Sequence, residues 1–149
     1  MNKSLQVTSD PINGSANPKA IPGALIEYEL AVTNTGEGTA DTDTVTITDS
    51  LPADTAFFVG TDASVSPITL TEGATASTLT LNFENLTSTA DDIEFSNNNG
   101  TTFDYQPTPD AEGFDPLITD IRIRLGGSMP GTDEDGSPEF SIFYQVKVN

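Results

Sequence analysis

The chain contains no cysteine, no histidine and no tryptophan, and only 5 of its 149 residues are lysine or arginine. Each absence excludes something. Without cysteine neither a disulfide nor a thiolate metal site can form, so stability has to come from packing. Without histidine, Ser-His and Cys-His catalysis are impossible, and the commonest transition-metal ligand is missing. So few cations against 23 acidic residues leave a formal charge of −18. Such a surface repels nucleic acid and anionic membranes, and no nucleic-acid partner is expected. No apolar run approaches the length that spans a bilayer, so no membrane insertion is expected either. The opening MNKSLQVTSD also lacks the apolar core of a secretory leader.

Strand patterns are abundant where helical periodicity is absent. In Ala24 to Val32 the residues Ala24, Ile26, Tyr28, Leu30 and Val32 fall on one face and Glu27 and Glu29 on the other, the period of a half-buried strand. Asn34 to Gly38 reads as a tight reversal, and Val45 and Ile47 alternate with Thr44, Thr46 and Thr48 up to Pro52, which ends the ladder. Ala24 to Pro52 is therefore expected to be a central hairpin. Further strands are expected over Ser4 to Ser9, Thr55 to Gly60, Ser66 to Thr71, Ser77 to Glu84, Ile118 to Leu125 and Glu139 to Asn149. A second hairpin is expected over Asp91 to Tyr105, around Asn97 to Gly100. Of the adjacent Phe57 and Phe58, one ring is expected in the core. Residues 10–23, with three prolines and two glycines, read as an irregular connector able to free the first strand. The whole, residues 1–149, reads as one all-β domain, an Ig-like antiparallel β-sandwich of about eight to ten strands.

Pro22-Gly23 before a strand centred on Tyr28, the turn Val32-Thr33-Asn34 with Gly36, and Thr48-Asp49 with Leu51-Pro52 form a pattern over roughly the first 60 residues. It resembles the repeat domain of bacterial and archaeal surface proteins known as domain of unknown function 11. The resemblance implies an Ig-like module of a secreted or wall-attached protein, serving in a stalk, adhesin or fibre. It also implies that a leader once preceded Lys3 or thereabouts.

Candidate sites follow from residue type and position. Asp110, Glu112 and Asp115 around Gly113, and Asp133, Glu134 and Asp135 before Gly136, put hard oxygen donors on glycine-bent loops, the ligand type Ca2+ takes. Asp41 and Asp43 form a smaller group, and a solvated acidic surface is the plain alternative for all three. Paired carboxylates could serve glycoside hydrolysis, but nothing selects a pair and no enzymatic activity is expected. Ig-like surface domains of some bacteria join a first-strand lysine to a last-strand asparagine, which marks Lys3 and Asn149 as a candidate crosslink with Glu27 or Glu29 assisting. Attack would require a neutral amine. Phe143, between Ser141 and Gln145 on the polar face of the last strand, could meet a partner or a sugar. Leu5 and Val7 are the apolar pair that the segment 1–9, as an exchangeable edge strand, would lend to another copy. The expected function is a non-enzymatic extracellular structural module, a fibre or stalk subunit binding itself or other surface proteins. A ligand- or glycan-binding adhesin module is the alternative.

Overall fold

A computed structural model describes residues 1–149. The fold is an antiparallel β-sandwich of nine strands, β1 (Asn2–Ser9), β2 (Leu25–Thr33), β3 (Thr46–Ser50), β4 (Thr55–Phe58), β5 (Thr69–Glu72), β6 (Ile93–Ser96), β7 (Phe114–Asp115), β8 (Asp120–Arg124) and β9 (Glu139–Val148). No helix long and apolar enough to cross a membrane is present. The larger sheet runs β1-β2-β9-β4-β7, with β5 also pairing β9, and the smaller runs β3-β8-β6.

The longest alternating pattern becomes the centre of the larger sheet. Phe140, Ile142, Tyr144 and Val146 of β9 are buried against the opposite sheet, while Ser141, Phe143 and Gln145 look outward half-buried. β2 supplies Ile26, Tyr28 and Leu30 to the same core, and the smaller sheet answers with Ile47, Ile121, Ile123, Ile93 and Phe95. Each such side chain removed from water contributes about 1.5–3 kcal/mol before entropy is counted. Aromatic rings tie the layers together. Tyr28 stacks on Tyr144 at 5.3 Å between centroids, Phe57 lies 5.5 Å from Tyr144, and Phe57 meets Phe95 of the opposite sheet edge-on at 5.9 Å. Phe57 is thus the buried member of its pair, and Phe58 packs outside on Phe114 at 5.1 Å.

Four expectations of detail are corrected. Ala24 to Pro52 is not a hairpin: β2 pairs β1 and β9, whereas β3 pairs β8 in the other sheet. The chain arches between layers, Asn34 Nδ2 donating to the carbonyls of Gly38 and Pro130, and the positive φ of this loop falls on Asp43 rather than on Gly36 or Gly38. Ser77 to Glu84 forms no strand, because Thr78 at φ 62° breaks the extended run and the Asp92 and Asp91 carboxylates take the Asn82 and Glu84 amides. Leu79 is still buried and Leu81 and Phe83 still pack on the core. The turn at Asn99 and Gly100 is real, but its return arm meets β6 only at Phe95 and Tyr105, since Ser96 Oγ, Asn98 Oδ1 and Thr119 Oγ1 take the loop amides.

The fourth correction concerns the connector. Asp10 is buried, and its carboxylate accepts the amides of Ile12, Asn13 and Lys19 and the side-chain amide of Asn13. A carboxylate holding so many donors is far better solvated in its charged form, and its pKa falls from 3.8 to about 2, with Asn13 the largest cause. Gly23 then donates its amide to Val148, and its φ of 84° brings the backbone against Pro11. Residues 10–23 are a pinned strap rather than a flexible link.

Candidate functional site

β1 is the edge strand of the larger sheet. Lys3, Leu5 and Val7 sit opposite Leu30, Tyr28 and Ile26, so all three are on the core side of the sheet. The smaller sheet does not cover them equally. Val7 packs on the core, Leu5 stays 56% exposed, and no residue of β1 is buried.

Lys3 closes this open edge. Its Nζ lies 2.7 and 2.9 Å from the two carboxylate oxygens of Asp49 on β3, which joins the free edge of one sheet to the other. The same Nζ donates to the Ser50 carbonyl and stands 4.6 Å above the Tyr28 ring and 5.7 Å from the Tyr144 ring. Tyr144 donates its hydroxyl to Asp49 Oδ2 at 2.6 Å. Burial, then the hydrogen bond to Asp49 and its charge, push the Tyr144 phenol far above its ordinary range, so it is a permanent donor. Burial and the Asp49 charge also raise Tyr28. Asp49 is only 11% exposed against 31% for Lys3, so the carboxylate is fixed and the lysine reaches in from solvent.

The crosslink expected between Lys3 and Asn149 is ruled out by register. Lys3 is level with Leu30 and Ile142, and from there to Asn149 the strand advances seven residues, roughly 23 Å at ~3.3 Å per residue. Asn149 is exposed and donates its amide to the Asp54 carbonyl. Glu27 and Glu29 lie on the opposite face, where Glu29 accepts from Ser4 and Ser141.

The acidic loops are not assembled into an ion cage, and no group of three or more acidic side chains is placed to hold a metal. Asp110 accepts the amides of Phe114 and Glu112, and Lys147 reaches Glu112 at 2.7 Å and Asp110 at 3.6 Å. The Phe114 amide is the largest cause holding Asp110 below the usual carboxylate range, and Glu112 is the largest raising Lys147. Asp115 is fully buried, its oxygens accepting from Leu117, Thr108 and the Tyr105 hydroxyl. Asp133 caps the Asp135 amide in a tight turn closed with Gly136, and Asp43 accepts from Gly127. These carboxylates accept hydrogen bonds within their own loops, and Lys147 lies beside Asp110 and Glu112.

Phe143 lies at the centre of the outer face of the larger sheet. A depression of about 230 Å³ with Glu27, Thr69 and Gln145 opens on one side of it, and one of about 350 Å³ with Glu29, Thr71 and Ser141 on the other.

The Lys3, Asp49 and Tyr144 node is what sequence reading misses. A signal exists, since alternation through Val45 and Ile47 places Asp49 on the apolar face of its strand, where an unpaired carboxylate would be costly. Comparison with family models, curated proteins and solved structures finds no match to this chain.

Proposed function

We propose that this protein is a non-enzymatic structural module of a cell-surface fibre or stalk, built to carry tension along its larger sheet. The observation behind this reading is strand direction. β1 begins level with Ala31 and Ser141 and ends level with Leu25 and Lys147, while β9 ends beyond Lys147. The start of β1 and the end of β9 therefore leave the sheet at opposite ends. Tension through them loads the β1-β2 and β2-β9 ladders lengthwise, so that many hydrogen bonds resist together instead of parting one at a time. The surface location rests on the resemblance of the first 60 or so residues to surface-protein repeats. The missing histidine and cysteine and the 23 acidic residues agree with a passive, well-solvated spacer.

Stretching single molecules in which several copies of the domain are joined in tandem tests this. Pulling through Met1 and Asn149 is expected to need distinctly higher force than pulling through two attachment points at one end of the same sheet. Equal forces in the two geometries would overturn the reading. One observation favours a glycan-binding adhesin module as second reading, the outward Phe143 between depressions lined by Glu27 and Glu29, since a sugar ring stacks on an aromatic while carboxylates take its hydroxyls. Glycan-array binding lost in Phe143→Ala would favour it.

A further inference from the structure

We propose that the cleft beside Asp120 binds a primary ammonium group, carried by a lysine side chain or by a free aliphatic amine. The other carboxylates enclosed by this fold are well supplied with donors. Asp10 accepts from Ile12, Asn13 and Lys19, Asp115 from Tyr105, Thr108 and Leu117, and Asp49 from Lys3 and Tyr144. Asp120 is 5% exposed, as Asp10 is, yet it accepts only from the Ser50 hydroxyl, at 2.5 Å on Oδ1, and its Oδ2 has no donor in the protein. A carboxylate so placed is costly unless a positive group meets it.

The strand register leaves this place uncompensated. Asp120 opens β8 between Ser50 of β3 and Ser96 of β6, so both of its cross-strand neighbours are small and uncharged. Arg122, two residues on along the same face, gives its Nε to Glu94 and stacks on Phe103 at 4.2 Å. A cleft of about 330 Å³ opens here, with Ser50, Asp54, Asn99, Thr119 and Asp120 in its wall and no lysine or arginine. Gly100 lies over the carboxylate, where an added Cβ would stand 3.5 Å from Oδ1. Asn99 is exposed and pinned only by its backbone amide on Thr119, so its side chain is the group that swings aside to admit a ligand to Oδ2.

The donor set selects an ammonium group over a metal ion. Asp54 and Asp120 are the two carboxylates of the cleft, and no three acidic side chains are gathered to supply the many oxygens that a divalent ion takes. An ammonium group brings one charge and three N–H donors. Asp120 Oδ2 takes one of them, and the Asn99 side-chain carbonyl and the exposed Asp54 carboxylate are the acceptors beside it. Leu51 and Ile118 give the methylene arm an apolar wall. The formal charge of −18 draws cations toward the molecule as a whole. Within this chain Lys19 is the one basic side chain without a carboxylate partner, its Nζ meeting only the Asn17 side chain. Lys19 is therefore what a second copy would insert, and a free amine offers the same group with no protein behind it.

Titrating n-butylammonium into the full-length protein and following the backbone amides by NMR tests the site. Saturable shifts are expected at Ser50, Asn99, Gly100 and Asp120. Tetramethylammonium, which carries the charge but no N–H, is expected to produce none of them at matched ionic strength. Asp120→Asn keeps the shape and the bond from Ser50, and is expected to bind roughly tenfold more weakly. Asp54→Asn, at an exposed position, is expected to weaken binding by a smaller factor. An equal response to the two ammonium ions in the unaltered protein would overturn the proposal, because screening alone would explain it. No response to butylammonium, or undiminished binding in a folded Asp120→Asn variant, would overturn it as well. Sedimentation of the full-length chain then separates the sources. Association that butylammonium disperses and Lys19→Ala abolishes shows the cleft filled by a second copy, whereas a monomer that binds butylammonium places the source outside this chain; both results support the site.

Discussion

Tyr28 and Tyr144 face each other in register across the β2-β9 ladder and stack at 5.3 Å, yet only Tyr144 reaches across to Asp49 with its hydroxyl. The two rings share a packing role and differ in polar role. Tyr144→Phe keeps the stack and removes one donor to the half-buried Asp49 carboxylate, for an expected loss of about 1.5–3 kcal/mol. Tyr28→Phe removes no such bond and should cost under ~1 kcal/mol. Urea unfolding of the two variants checks the difference, and equal losses would mean that the hydroxyl at Asp49 does not stabilise the fold.

Acid should weaken the strap between β1 and β2 as Asp10 takes up its proton. Asp10 has its pKa lowered from 3.8 to about 2 in the fold. A carboxylate with a depressed folded pKa contributes stability that is complete above its unfolded value and is lost as pH falls through the folded one. The contribution of Asp10 is therefore whole above about pH 4 and fades toward pH 2. Asp10→Asn should lower stability at neutral pH and flatten the part of the pH dependence between those limits. Hydrogen exchange at Ile12, Asn13 and Lys19 should rise in the same variant, since their amides lose the charged acceptor. Unchanged protection there would show that the strap is held by its prolines alone.

Asp10 and Asp49 show where sequence reading stops. The alternation in β2, β8 and β9 reveals which residues are inside, because a strand with one buried face leaves a period-two trace whatever it pairs with. Partnership leaves no such trace. β2 and β3 read as neighbours because they are consecutive, and the loop after Asn34 carries them to different sheets through bonds to Gly38 and to Pro130 far away in the chain. The connector reads as loose from its prolines and glycines, although one buried aspartate gathers its amides. Acidic residues read as ligand candidates, and in the fold several of them also cap loop amides. Composition does not separate these roles, since a carboxylate accepting backbone amides and one waiting for a cation are the same letter.

Salt should stabilise the protein through screening. With a formal charge of −18 the folded surface repels itself, and the Debye length shrinks from ~10 Å at 0.1 M to ~3 Å at 1 M salt. Melting temperature is expected to rise over this range and to rise equally in NaCl, MgCl2 and CaCl2 at matched ionic strength. The reason is that Lys147 already occupies the Asp110 and Glu112 pair and Asp115 is saturated with donors. A rise peculiar to micromolar calcium, abolished by Asp110→Asn or Asp133→Asn, would show a site that forms only when the ion arrives.

The last prediction concerns whether β1 can be exchanged between copies. In the fold it pairs with its own β2, anchored at one end by Lys3 on Asp49 and at the other by the Asp10 strap. Between those anchors only Val7 packs on the core, half-buried, and Leu5 is exposed, so the strand is held mainly by its ladder, Val7 and one ion pair. A protein lacking Met1 to Ser9 should therefore fold and present the free edge of β2 beside Asp49 and Tyr144. A synthetic peptide spanning Asn2 to Ser9 should bind that edge by strand addition, in the register that sets Lys3 opposite Leu30. The same peptide with Lys3→Ala should bind roughly tenfold more weakly, the equivalent of ~1.4 kcal/mol for the lost ion pair. Titration by calorimetry measures both peptides, and light scattering with electron microscopy of the full-length chain shows whether the exchange also runs between copies. If the truncated domain is folded and ignores the peptide, or polymerises as readily as the full-length chain, then β1 is not a transferable strand.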